Sequence, residues 1–351
     1  MRGEDQGDEQ LERRSEVELE AGVGVRTREL LHDRPCPRTV ARRSRSHDLD
    51  CDGSHRVSIV ATVARACYEG PVSATVRIPV SGVSLAVTDH GSARGDVARA
   101  LVLAHATGFC GAVWRPLLPA LRERFRVISL DQRGHGDSDK PDDAYAWRDF
   151  VDDLAGVIDA LRLRDVCAVG HSKGGAAVAG VAALHPGRIG RAVLLDPVLV
   201  DPLPEGRTQP ANAMAVAARR RRQVWDSREQ MIESYAGRAP FDVWRRDFLE
   251  AYVEGGTFVR ADGKVELKCS GEIEARVYEG AARSSSTEFL HGMAVPTLLV
   301  SGERSLTLPP ERARRAAAML RHGRLEVLPG IGHFVPMEAP DAVLRVLGAF
   351  L

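Results

Sequence analysis

From about residue 75 onward, the chain alternates short apolar runs with segments of helical periodicity. The first two runs, TVRIPV and VSLAVTD, are joined by Ser81-Gly82, a pair typical of a two-residue hairpin turn. The later runs predict strands at 100–105, 126–131, 165–170, 191–196, 296–302 and 324–330. Near-continuous apolar strands that alternate with helices predict an α/β fold with a mostly parallel central sheet flanked by helices.

The segments between these runs carry the helices. In FVDDLAGVIDALRL, the apolar residues recur at helical spacing and fall on one face. A small-residue helix is predicted from Ser172 to Leu184. Further helical patterns occur at 114–125, 310–320 and 339–351. Each predicted helix can therefore cover a face of the sheet.

Two parts of the chain depart from this alternation. Residues 1–72 are dense in Arg, Asp and Glu and cannot bury enough apolar surface to offset ordering entropy, so we predict a disordered extension. Residues 200–292 contain helical patches and interrupt the series of strands. We therefore predict a core of residues 75–199 and 293–351, with an inserted helical cap at 200–292 between the sixth and seventh strands.

Composition and charge exclude several function classes. The 351 residues hold 48 Lys and Arg against 48 Asp and Glu, so no global charge indicates nucleic acid as a partner. Arg219 to Arg222 stand in a row, which favours a solvated helix face over a nucleic-acid or phosphate site. The six cysteines form no C-x-x-C pair and no metal-ligand spacing with histidine. No feature of the sequence specifies an oligomeric state.

The N-terminus MRGEDQGDEQ lacks the basic start and apolar core of a signal peptide. The sequence contains no apolar stretch of the length that a membrane-spanning helix needs. These features predict a soluble cytoplasmic protein without a membrane span.

Ser172 stands between Gly170 and Gly174, after an apolar strand and at the start of a helix. Glycines at these positions suit a sharp strand-to-helix turn that presents a nucleophilic serine, although a serine there also suits a helix cap. A serine nucleophile needs a base, and His333 lies in the loop between the last predicted strand and the last helix. The backbone amide of Lys173, at the helix N-terminus, is a candidate donor to an oxyanion. The side chain of Lys173 is not required for this role.

Four motifs occur in order: HATGFCGAVW, DQRGHGDSDKP, GHSKGG and GIGHFVPMEAP. Together they resemble the α/β-hydrolase superfamily over residues 75–351, in its capped branch with a serine nucleophile. The resemblance implies that the amide of Thr107, with Ala106 as its neighbour, is the second oxyanion donor. It also implies that DQRGHGDSDKP supplies turn structure near the site. No metal or organic cofactor is implied.

The acid of the implied triad departs from the family pattern. Most such hydrolases carry an Asp in the loop after the seventh strand, where this chain has Ser305. Some relatives place the acid at the end of the sixth strand, where Asp196 stands, so Asp196 is the predicted acid that orients His333. Glu303 is the second choice.

These residues predict a serine esterase that acts on small or medium acyl substrates through an acyl-enzyme. A serine at residue 172 argues against the branches of the family that use an aspartate nucleophile. Two alternatives stay open: another serine-type activity, either C–C bond hydrolysis or cofactor-free perhydrolysis, and a non-catalytic binding protein of the same fold.

Overall fold

The computed structural model describes residues 73–95, 99–201, 212–281 and 285–351. The extension predicted at 1–72 lies outside the described residues. Eight strands form the main sheet, and three shorter ones form a second sheet. The eight are β1 (Ala74–Val80), β2 (Val83–Asp89), β3 (Ala100–Ala104), β4 (Arg126–Leu130), β5 (Val166–His171), β6 (Ile189–Leu195), β10 (Thr297–Gly302) and β11 (Gly323–Leu328). The three are β7 (Val224–Trp225), β8 (Thr257–Val259) and β9 (Val265–Leu267).

The main sheet has the strand order β1-β2-β4-β3-β5-β6-β10-β11. The six strands from β4 to β11 in that order pair in parallel, while β2 pairs antiparallel with both β1 and β4. The predicted α/β class with a mostly parallel sheet is confirmed. Val80 pairs with Val83 across Ser81-Gly82, and both turn residues have positive φ angles, which confirms the predicted hairpin.

Both faces of the sheet are buried. Along β3 and β5 successive side chains point to opposite faces, and each set enters a different apolar cluster. Val102 and Ala168 belong to one cluster, and Leu103 and Val169 belong to the other. The near-continuous apolar composition of these strands thus follows from burial on two sides.

Helices cover these faces between the strands. They comprise a 3₁₀ segment Gly111–Leu117 and the α-helices Leu118–Arg122, Trp147–Ala160, Lys173–Leu184, Pro310–Met319, Val335–Glu338 and Pro340–Phe350. The helix predicted over 114–125 is therefore divided, because Pro116 and Pro119 lack the amide hydrogens of a continuous α-helix.

The segment between β6 and β10 carries the elements of the predicted insertion. Its helices are Ala213–Arg220, Arg228–Ala236, Arg246–Gly256, Gly271–Ala281 and Glu288–Gly292, with a 3₁₀ turn at Phe241–Val243. The strands β7, β9 and β8 form an antiparallel sheet here, which the helical periodicity did not predict. These strands are only two or three residues long, too short to show a period of two.

The four consecutive arginines do not form a uniform solvated face. Arg219 pairs with Glu272 and Glu279 on the neighbouring helix. The Arg221 side chain is only 17% exposed, and its guanidinium pairs with Glu274 at 2.7 Å and contacts the hydroxyls of two tyrosines. The predicted solvated face is wrong for Arg221, since the helix ends at Arg220 and the next side chain turns inward.

Within the described ranges, no helix has the length and apolarity needed to cross a membrane. The same residues contain no group of three His, Cys, Asp or Glu side chains arranged to hold a metal ion.

Candidate active site

The predicted site residues follow the carboxyl ends of parallel strands. Ser172 follows β5, Asp196 follows β6, His333 lies beyond β11, and Thr107 lies beyond β3. Because parallel strands end at the same edge of a sheet, the fold brings these four residues to one edge. The loops at this edge can therefore bring the four side chains together in one site.

Ser172 occupies a strained turn between β5 and the helix Lys173–Leu184. Its φ of 55° and ψ of −117° lie outside the regions that non-glycine residues ordinarily adopt. The strained backbone is held by Ser172 N–H, which donates to Leu195 O, and by Ser172 O, which accepts from the amides of Gly175, Ala176 and Val198. The hydroxyl forms no capping hydrogen bond, so the side chain is available for another partner.

Two glycines make this turn sterically feasible. A Cβ built on Gly170 would lie 2.2 Å from Gly174 O, and one built on Gly174 would lie 2.2 Å from Ala104 O. Both distances are far below van der Waals contact with backbone atoms that cannot move aside. The glycine spacing in GHSKGG is therefore required by the close approach of helix, turn and sheet.

A chain of hydrogen bonds links the serine, the histidine and one aspartate. His333 Nε2 lies 3.1 Å from Ser172 Oγ, and His333 Nδ1 lies 2.7 Å from Asp196 Oδ1. Asp196 is fully buried, and an aspartate accepts from the Nδ1–H of a neutral imidazole. In that tautomer Nε2 has a free lone pair that can take the hydroxyl proton.

The loop after β10 surrounds the buried Asp196 carboxylate. Gly302 N–H donates to its Oδ2 at 3.0 Å, and the Ser305 hydroxyl lies 2.7 Å from its Oδ1. Asp196 itself has a φ of 43°, so a second strained residue follows the neighbouring strand.

Glu303 does not reach the imidazole. Its side chain is exposed, and its carboxylate accepts a hydrogen bond from Gly330 N at 2.8 Å. Of the two carboxylates that the sequence offers, the structure brings only Asp196 to His333.

Two residues that the sequence reasoning did not single out hold the histidine loop. Glu338 accepts hydrogen bonds from the amides of Gly332 and Phe334, on either side of His333. His171 donates from Nε2 to His333 O at 3.0 Å, and burial lowers the pKa of His171 to about 3. Both residues lie inside the quoted motifs, so their proximity to the serine and the histidine in sequence was the available signal.

The backbone amides of Thr107 and Lys173 are the two candidate oxyanion donors. Among the residues that the structure describes, neither amide donates to a backbone or side-chain acceptor. Lys173 N–H lies in the first turn of its helix, where amides have no partner within the helix. The carbonyl oxygen of Ala106 accepts hydrogen bonds from His105 Nδ1–H and from Phe109 N–H.

Two buried histidines hold the Thr107 loop from beneath. His135 Nε2 accepts from Gly108 N–H, and His105 Nε2 accepts from Gln132 N–H, each at 3.0 Å. Burial lowers the pKa of both imidazoles well below the usual value, so both are neutral. DQRGHGDSDKP, interpreted from sequence as turn structure, thus also supplies His135 as a direct support of this loop.

The side chain of Lys173, the residue after the serine, lies in an unusual environment for a lysine. The side chain is fully buried, and Nζ lies 4.0 Å from the centre of the Phe150 ring. Within the described part of the chain, Nζ has no hydrogen-bond partner. Burial lowers its pKa well below the ordinary lysine value, which favours the neutral amine.

Aromatic side chains from the insertion pack against the loops of the site. The Phe109 ring lies 5.2 Å from both Trp244 and Tyr252, and Trp244 lies 5.4 Å from Phe334. Phe334 is the neighbour of His333, with ring centres 5.1 Å apart. The insertion therefore places an apolar, aromatic surface beside the hydrogen-bonded chain.

Comparison with known proteins gives a consistent result. Residues 101–346 match the model of the "Alpha/beta hydrolase family". A 2-(acetamidomethylene)succinate hydrolase from Mesorhizobium japonicum is 29% identical over 281 residues, which cover 78% of this chain and 94% of the relative. A non-heme haloperoxidase from Rhodococcus erythropolis is 29% identical over 244 residues, covering 67% and 85%.

The crystal structure of E-2-(acetamidomethylene)succinate hydrolase has a similar fold. It superposes with a TM-score of 0.69 at 26% sequence identity. The match covers 80% of this chain and 99% of the other.

Proposed function

Because the chain belongs to the alpha/beta hydrolase family, we propose that it is a serine hydrolase of small or medium acyl compounds. Carboxylic esters are the main substrates in this proposal. The observation that supports this most directly is the hydrogen-bonded chain from Ser172 Oγ through His333 to the buried Asp196. A serine, a base and an acid in this order match the requirements of nucleophilic acyl transfer.

The proposed reaction has two steps. Ser172 Oγ attacks the carbonyl carbon while His333 Nε2 takes the hydroxyl proton, and Asp196 stabilises the resulting imidazolium. The amides of Thr107 and Lys173 donate to the oxyanion, aided by the helix that begins at Lys173. The imidazolium then protonates the leaving group, which departs and leaves an acyl-enzyme. His333 then takes a proton from water, and the hydroxide attacks the acyl carbon. The bond to Ser172 Oγ breaks, the imidazolium returns its proton to Oγ, and the acid is released.

The relatives widen the range of bonds to be tested. One is named for the hydrolysis of an acetamido compound and another as a haloperoxidase, so acetamides and hydrogen peroxide belong beside esters in the substrate panel. C–C bond hydrolysis of a vinylogous diketone is the remaining serine-type alternative. The buried aromatic cluster of Phe109, Trp244 and Tyr252, which packs against Phe334 beside His333, favours an uncharged acyl group.

The test is labelling of the full chain with a fluorophosphonate probe, followed by a substrate panel. We expect one label per chain on Ser172, none on Ser172→Ala, and turnover of p-nitrophenyl esters that varies with acyl length. An unlabelled wild-type chain would support the non-catalytic alternative and contradict the proposal. Faster turnover of the acetamide, the diketone or a peracid-forming mixture than of the esters would agree with Ser172 as the nucleophile and would contradict the ester assignment.

A further inference from the structure

Ser305 stands directly behind the Asp196 carboxylate. Its hydroxyl lies 2.7 Å from Asp196 Oδ1, the same oxygen that lies 2.7 Å from His333 Nδ1. Both Ser305 and Asp196 are buried, so water does not compete for this oxygen. One carboxylate oxygen is thus shared between the imidazole and a serine hydroxyl.

The surrounding groups fix the direction of the hydroxyl proton. Leu308 N–H donates to Ser305 Oγ at 3.1 Å, and a backbone amide can only donate. The Asp196 carboxylate can only accept when ionised, so the Ser305 hydroxyl donates its proton to Oδ1. The carboxylate consequently receives Ser305 and His333 on one oxygen and Gly302 N–H on the other.

The loop that carries Ser305 is tied to the loop that carries His333. Ser305 N–H closes a turn on Gly302 O, Glu303 N–H donates to Leu328 O, and Arg304 N–H donates to Ile331 O at 2.8 Å. The last χ torsion of an aspartate is broad, so donors on both oxygens are needed to hold the carboxylate in one orientation. Gly302 and Ser305 supply those two donors from one short turn.

We propose that Ser305 is a positioning residue of this site. Its hydroxyl orients the Asp196 carboxylate and makes that carboxylate a weaker hydrogen-bond acceptor for His333 Nδ1–H. The inference rests on the proposed function, in which His333 is the base. Without the hydroxyl, the buried carboxylate keeps two donors instead of three. The hydrogen bond from the protonated His333 ring then stabilises the Asp196 carboxylate more strongly, so His333 stays protonated up to a higher pH.

Other titratable groups also lie around His333, and a substitution at residue 305 alters none of them. They are Ser172 and His171 at the end of β5, Asp196 after β6, and Glu338, which binds the amides on either side of His333. His171 is neutral at ordinary pH because burial lowers its pKa to about 3. A change at residue 305 therefore acts on His333 through Asp196.

The experiment compares Ser305→Ala with wild type by two independent measurements. We expect the titration midpoint of the His333 ring, followed by NMR and assigned with His333→Gln, to rise by about half a pH unit. The acidic limb of kcat/KM should move in the same direction, with kcat lowered about ten-fold and KM little changed. Ser305→Thr, which keeps the hydroxyl, should restore the wild-type midpoint.

Ser301→Ala is the matched control. Ser301 is buried in the same region, and its hydroxyl donates to Leu308 O at 2.7 Å and lies 3.3 Å from Gly302 O, without a hydrogen bond to the Asp196 carboxylate. We expect a comparable loss of thermal stability with an unmoved His333 midpoint. An unmoved midpoint in Ser305→Ala, or an equal shift in Ser301→Ala, would overturn the proposal. Because the NMR titration needs no turnover, a failure of the proposed hydrolase activity remains distinguishable through fluorophosphonate labelling.

Discussion

At the scale of single residues, the candidate site depends on two strained positions. Ser172 and Asp196 both have positive φ angles, 55° and 43°, at the ends of adjacent strands. Such conformations cost roughly 1–3 kcal/mol each and persist only where surrounding contacts enforce them. Here the backbone hydrogen bonds of Ser172 and the three donors around Asp196 provide that enforcement.

The choice of acid is testable at this scale. We expect Asp196→Asn to lower kcat by about 10⁴-fold, because an amide that donates to His333 would favour the wrong imidazole tautomer. Glu303→Gln is the matched control, since that exposed side chain binds only the Gly330 amide, and its turnover should stay within a few-fold of wild type. Turnover in Asp196→Asn within a few-fold of wild type, together with loss in Glu303→Gln, would reverse the assignment.

At the scale of secondary-structure elements, the end of β10 lies against the loop that carries His333. A Cβ built on Gly302 would lie 2.1 Å from Gly332 O and 2.5 Å from Ile331 O. The end of β10 thus passes directly against the histidine loop. No side chain larger than hydrogen fits at residue 302 without moving the backbone that precedes His333.

Gly302→Ala should therefore impair catalysis as well as folding. We expect kcat/KM to fall between ten- and 100-fold, because displacement of the His333 loop lengthens the contact with Ser172, as in other misplaced active sites. The measurement is steady-state kinetics with thermal unfolding on the same samples.

Gly330→Ala is the control for this prediction. Gly330 lies in the same loop with a φ of 70° and has open space around its Cβ position, so alanine there adds backbone strain without a collision. It should lower stability and leave kcat/KM within about three-fold of wild type. Equal kinetic losses in both variants would mean that strain, rather than the close approach at Gly302, controls the loop.

At the scale of the whole molecule, buried histidines connect folding to pH. Burial lowers the pKa of His90 to about 4 and of His171 to about 3, and it lowers the pKa of His105 and His135 well below the usual value. In the unfolded chain these residues bind protons below about pH 6.5. The unfolded state therefore binds more protons than the folded state as the pH falls below 6.5.

We accordingly expect the free energy of unfolding to be unaffected by these groups above pH 6.5 and to fall between pH 6.5 and about 4. Each histidine contributes a slope of up to about 1.4 kcal/mol per pH unit, so four together give at most roughly 5.6 kcal/mol per unit. Urea unfolding at pH 7, 6 and 5 measures this slope.

His90→Asn separates one histidine from the others. His90 lies outside the site and bonds Ser129 Oγ, so its replacement should reduce the slope by about a quarter without changing the labelling of Ser172. A free energy of unfolding that stays constant from pH 7 to pH 5 in wild type would contradict the prediction.

The insertion joins the core through polar as well as aromatic contacts. Lys268 Nζ donates to Asp137 Oδ2, and Arg245 N–H donates to Met337 O in the short helix Val335–Glu338. The Glu274 carboxylate, paired with Arg221, lies against Gly108 in the loop of the proposed oxyanion donors. The insertion and the site loops are thus in direct contact.

The sequence by itself determined the class of fold and the order of its strands along the chain. Apolar runs of strand length between helical periods are a local property, because each strand is buried on both faces by whichever helices follow it. The glycine pattern around Ser172 was equally predictable, because the close approach of Gly170 to Gly174 arises within one turn. The approach of Gly174 to Ala104 O, by contrast, depends on packing against β3. The short strands of the insertion were not, because two or three residues carry no period.

Only the tertiary structure decided which groups meet. Asp196 and Glu303 were both candidates in sequence. The pairing of β10 with β6 on one side and with β11 on the other brings Asp196 to His333 and places Glu303 against Gly330. The contacts of Ser305 with Asp196, of His171 with His333 and of His135 with Gly108 likewise join segments far apart in the chain. Such contacts depend on the packing of separate strands at one sheet edge, a property that no local pattern of residues contains.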